Sequence, residues 1–136
     1  MNEISKSLND GYYLKVYEKL LCTKEAWVNG VYSLEFFCSN KHLGNVNFEK
    51  KLAYLNYALA RKESIEMHIF ICYYLLYGDC LFDDINTVAG WHFRRALEIS
   101  NNSPEVLKEI LTHYREHPDS PFSREEMKKF ESMLGS

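Results

Sequence analysis

Ala53-Tyr54-Leu55-Asn56-Tyr57-Ala58-Leu59-Ala60 is echoed 36 residues later by Ala89-Gly90-Trp91-His92-Phe93-Arg94-Arg95-Ala96. Both stretches read Ala-x-(large apolar)-x-(aromatic)-x-x-Ala. Alanine, aromatic and alanine at i, i+4 and i+7 fall on one face of a helix. The two small residues admit a neighbouring helix, and the ring fills the gap beside it. Repetition at this period predicts stacked helical hairpins, an architecture that serves mainly to bind other proteins.

Start and stop signals around the echo divide the chain into about seven helices. The first spans about residues 11–21, with Tyr13, Val16, Tyr17 and Leu20 on one face. Thr23 is placed to cap a second, in which Trp27, Val31, Leu34 and Phe37 recur at helical spacing. Residues 39–47 hold Gly44 and three asparagines and read as a loop, whose Asn47 caps a third helix over 48–62. Ser64 caps a fourth over 65–81, apolar on nearly every side and therefore central. Asp83, Asp84 and Asn86 make the next turn and cap a fifth over 87–100, with capping the leading role for Asp84. Ser103-Pro104-Glu105 opens a sixth that ends before Pro118, and the capping box Ser123-Arg124-Glu125-Glu126 opens a last helix to Leu134. No stretch alternates with period two, so the fold class is all-α, read as one domain over 1–136.

The composition is that of an ordinary globular domain with many aromatics: 46% hydrophobic, 26% charged, ten Tyr and eight Phe. A net charge of -3 lacks the basic patch that nucleic acid selects and suits a basic protein partner instead. Residues 65–82 come closest to a membrane span, but Glu66, His68 and Asp79 interrupt them. The polar N-terminus lacks a signal-peptide apolar run, so the expected compartment is the cytoplasm, with no membrane partner. Cys22, Cys38, Cys72 and Cys80 form no Cys-x-x-Cys pair and are expected as thiols.

Pairing the second helix with the third, the fourth with the fifth and the sixth with the seventh gives three hairpins behind a leading helix. In the best unit, Leu76-Tyr77-Gly78 is followed by Asp84, Ala89, Trp91 and Ala96. This order resembles the Sel1-like branch of the tetratricopeptide-repeat superfamily, over about residues 34–100. The resemblance implies a short array of antiparallel hairpins that binds protein without chemistry. The chain departs from the family in lacking the Gly-rich turn within the hairpin. A compact helical bundle whose faces coincide by chance is the alternative.

One chemical signature stands out. His113-Tyr114-Arg115-Glu116-His117 matches the inverted zinc-protease pattern His-x-x-Glu-His, with His113 and His117 as ligands and Glu116 as base. Pro118 ends the helix where the second ligand needs support, and the surroundings are polar, so a small zinc-dependent hydrolase is kept only as a remote reading. His68 and His92 lie on different helices and are read as core or edge residues that could meet. Arg94-Arg95 reads as a solvated helix face. No phosphate loop, nucleophile elbow or dinucleotide glycine cluster occurs, and no cofactor is implied.

The remaining reading is a non-catalytic cytoplasmic protein-binding module. Its specific form is an immunity protein, or antitoxin, that blocks a basic toxin domain. A scaffold or chaperone that binds a peptide segment is the alternative. Contact residues are expected among the acids Asp79, Asp83, Asp84, Glu63 and Glu66, and among the tyrosines. Adjacent tyrosines such as Tyr73 and Tyr74 cannot face the same way, so part of the set Tyr73, Tyr74 and Tyr77 must approach the surface.

Overall fold

The computed structural model describes residues 3–21, 37–38, 43–44, 46–78 and 84–135. Seven helices are found among them: α1 (Glu3–Asn9), α2 (Tyr13–Leu21), α3 (Phe48–Arg61), α4 (Ile65–Tyr77), α5 (Ile85–Ser100), α6 (Pro104–Tyr114) and α7 (Arg124–Gly135). No strand occurs among the described residues, and the protein is all-α. No helix among them is long and apolar enough to cross a membrane. The expected cap at Thr23, the apolar row Trp27, Val31 and Leu34, the acids Asp79 and Asp83, and Cys22 and Cys80 lie outside the described residues.

Local chemistry sets most helix starts. Asn47 Oδ1 accepts the amide of Lys50 at 2.9 Å, and Ser64 Oγ that of Met67 at 3.1 Å. Ser103 Oγ accepts the amide of Glu105 at 3.2 Å, with Pro104 opening the helix. Ser123 and Glu126 close a reciprocal capping box, each side chain holding the other's amide at 3.1 and 3.0 Å. Several elements differ from the sequence reading: α1 is a helix the sequence signals do not announce, α4 ends at Tyr77 rather than near residue 81, and α5 begins at Ile85 rather than 87. Gly11 does not begin a helix; it ends α1 with φ 78°, where Tyr12 donates to Ser7 O at 2.9 Å and Gly11 to Leu8 O at 3.2 Å. This is a Schellman closure, which glycine accepts because its missing Cβ allows the left-handed backbone, and α2 starts two residues later. Asp84 does not cap α5 with its side chain: its φ of 64° takes it out of the extended region that a capping residue needs.

The helices pack largely in chain order. α1, α2 and α3 contact one another, α3 meets α4, α4 and α5 form the most extensive pairing, and α6 pairs with α7 and with α5. α4 and α5 run antiparallel, with the Cys72 thiol on Ala89 O at 3.2 Å and His68 against His92 at 2.9 Å. Burial holds the Cys72 thiol far above its usual range, so it stays protonated. α3 is tied to α4 by Phe48, which stacks on Tyr74 at 4.7 Å, while the Tyr74 hydroxyl donates to Phe48 O at 3.1 Å.

The echo does not survive as a structural repeat. In α5, Ala89, Phe93 and Ala96 are each 0% exposed. In α3, Ala53 and Ala60 are exposed and Tyr57 is only half-buried, whereas Lys51, Tyr54, Leu55 and Ala58 form the buried face. The buried faces align at an offset of 38 residues, not 36. Two residues turn a helix by about 200°, so the matched letters point in opposite directions. Trp91, which the motif pairs with Leu55, is 56% exposed against 0% for Leu55. A substitution pair checks this. Ala89→Leu should destabilise by about 1–3 kcal/mol through overpacking, while Ala53→Leu stays within about 0.5 kcal/mol in urea unfolding. Equal losses would restore the repeat.

Candidate functional site

The expected contact residues separate into distinct places. Glu66, Tyr73 and Tyr77 are spaced i, i+7 and i+11 on α4 and fall in one narrow stripe. Tyr77 is 56% exposed, and its hydroxyl lies 3.0 Å from Nδ1 of His113. Its ring stacks on Tyr73 at 5.9 Å and meets the edge of His113 at 5.7 Å. Tyr73 is half-buried, abuts Phe93 edge-on at 6.2 Å, and donates its hydroxyl to the Glu109 carboxylate. A ladder of rings thus runs from the core of α5 to the surface between α4 and α6. Tyr74 must be struck from the contact set, because it is 1% exposed. One residue further round α4, its ring points into the α3 interface.

His113 and His117 stand at the end of this ladder, with rings 5.8 Å apart and 24° from parallel. Burial, and then the charge of His117, hold His113 below its usual range, so it is neutral at pH 7. With Leu111, Thr112, Arg115, Glu116 and Pro118 they line an open depression of about 570 Å³. The geometry does not fit the zinc pattern. α6 ends at Tyr114, so the helix does not carry His117. The Asp119 amide donates to Nδ1 of His117 at 3.0 Å, which puts the proton of the neutral ring on Nε2 and leaves no lone pair for a metal. No group of three metal-ligating side chains converges among the described residues.

Glu63 belongs to a different construction. One of its carboxylate oxygens lies 2.7 Å from His68 Nε2, and both accept from Arg95, at 2.9 Å from Nε and 2.9 Å from Nη2. Arg95 also reaches Glu98 at 2.9 Å. The Arg95 guanidinium, and next His68, pull the Glu63 carboxyl down to about 2. An ionised Glu63 requires a proton on His68 Nε2. Behind it, the Nδ1 atoms of His68 and His92 sit 2.9 Å apart, with the two residues 0% and 6% exposed. One proton must lie between those nitrogens, so the pair holds at most three protons in this geometry. Burial, followed by the charge of His68, pulls His92 down to about 4.

The sequence reading allowed the two histidines to meet but missed the carboxylate and guanidinium that lock them. The adjacent arginines are not a solvated basic patch either. Arg94 binds Glu126 at 2.6 Å and Pro121 O at 2.7 Å, and lies 4.5 Å over the Phe122 ring. Both guanidinium groups are therefore engaged in ion pairs within the fold. No protein-family model, curated protein or solved structure matches the chain.

Proposed function

We propose that this chain is a non-catalytic protein-binding module, in its specific form an immunity protein that binds and blocks a toxin domain. The observation that carries the reading is Tyr77, an aromatic ring 56% exposed yet fixed from two sides by Tyr73 and His113. A tyrosine already held in one rotamer loses little entropy on binding and offers both apolar area and a hydroxyl. Such rings recur among the residues that dominate interface energies. Glu66 on the same stripe and Glu116 in the neighbouring depression, in a chain of net charge -3, favour a basic partner by charge complementarity.

Co-expression with the products of adjoining genes tests the reading. A complex should form and protect the host from the partner's toxicity. Tyr77→Ala should weaken it by about 2 kcal/mol, or roughly thirtyfold, while the unfolding free energy falls by only about 1 kcal/mol for the lost ring contacts and the chain stays folded. If no such product binds, or if Tyr77→Ala and Glu66→Lys both bind like the wild type, the reading fails.

A further inference from the structure

The outer face of α5 carries a second surface, on the far side of the helix from its buried row. Asp84, Val88, Trp91 and Arg95 follow one another at spacings of four, three and four, which brings them into one narrow arc. Asp84 is exposed, Val88 is 40% exposed and Trp91 is 56% exposed. The stripe is its own complement. Val88 and Trp91 are equidistant from the midpoint between Ala89 and Gly90, and so are Asp84 and Arg95. An antiparallel second copy of α5, related by a two-fold axis through that midpoint, sets Val88 against Trp91 twice. The same operation sets Asp84 against Arg95 twice. The alternating spacing of three and four is that of a seam between paired helices.

We propose that the outer face of α5 joins two copies of this chain in an antiparallel, isologous contact with Val88 and Trp91 at its centre. The anchoring groups are already in place. Trp91 meets the rings of His68 and His92 edge-on at 5.8 and 5.0 Å. Arg95 is held by Glu63 and Glu98 through three of its N–H groups, which leaves two for an incoming carboxylate. Asp84 makes no side-chain capping hydrogen bond and is exposed. Two exposed ion pairs add little strength and serve to fix the register, while the apolar pair supplies the attraction. One helix face of this length buries less than a permanent dimer needs, so the dissociation constant should be on the order of 10–100 µM.

Sedimentation equilibrium from roughly 10 µM to 1 mM should show reversible monomer–dimer exchange. Trp91→Glu and Val88→Lys should each weaken it by about tenfold or more with helicity intact by circular dichroism, and Asp84→Lys should weaken it less. In a Trp27→Phe background, Trp91 is the sole tryptophan, and its emission should shift to the blue as the dimer forms. The Tyr77→Ala variant should dimerise like the wild type, because that ring lies on another surface. A wild-type chain that stays monomeric at about 1 mM overturns the proposal. So does a dimer that survives both apolar substitutions, or one that leaves Trp91 emission unmoved.

Discussion

Acidification from pH 7 to pH 4 should cost the folded state about 3 kcal/mol at His92 alone. Burial against His68 lowers this imidazole from the ordinary 6.5 to about 4, so between those values the unfolded chain binds more protons than the folded one. The His92 contribution is therefore intact above about pH 6.5, is lost as the pH drops through the window, and levels off below about pH 4. Geometry reinforces the direction, because the 2.9 Å gap between the two Nδ1 atoms has room for a single proton. Glu63, lowered from 4.5 to about 2 by Arg95 and His68, adds a loss of the same sign at still lower pH. Urea unfolding at pH 7 and pH 4 measures the effect. The control is His92→Asn, whose amide can still face His68 but does not titrate. Its loss between the two pH values should be smaller than that of the wild type by about 3 kcal/mol. Equal slopes for the two proteins would mean that the pair does not control the acid response.

Phe93→Ala should destabilise the protein by about 3–5 kcal/mol. The ring is 0% exposed, meets Tyr73 edge-on at 6.2 Å and Tyr114 at 5.9 Å, and so joins α4, α5 and α6. Tyr73 stands directly behind Tyr77, so the cavity lies at the base of the aromatic ladder. Phe93→Leu refills much of that volume and should recover more than half of the loss. Denaturant unfolding gives both values. A loss below about 1 kcal/mol for Phe93→Ala would show that the three helices do not depend on this contact.

The two candidate surfaces were legible in the sequence to different degrees. Tyr73 and Tyr77 could be singled out because adjacent tyrosines on one helix cannot all point inward, yet the letters alone did not say that Tyr74 was the buried one. Trp91 is hidden in the sequence by the motif, which sets it at the large apolar position matched to Leu55. Glu63 is a surface acid whose ion pairs the sequence does not show, because its partners, Arg95 and His68, lie 32 and 5 residues away and on different elements. The stripe from Asp84 to Arg95 was present in the sequence, but only the knowledge that this face is uncovered gives it meaning.

Taken alone, the sequence determined the all-helical class, four of the helix starts, and the hairpin order of the C-terminal half. These depend on interactions that close within a turn or two of chain: Asn47 with Lys50, Ser64 with Met67, Ser103 with Glu105, Ser123 with Glu126. Tertiary structure decided which face of each helix is buried, and with it the fate of the echo. A displacement of two residues reverses a helix face, and a pattern of similar letters does not register it. Tertiary structure also decided the histidine pair, whose rings come from α4 and α5 and are brought together at 2.9 Å by the packing of those two helices.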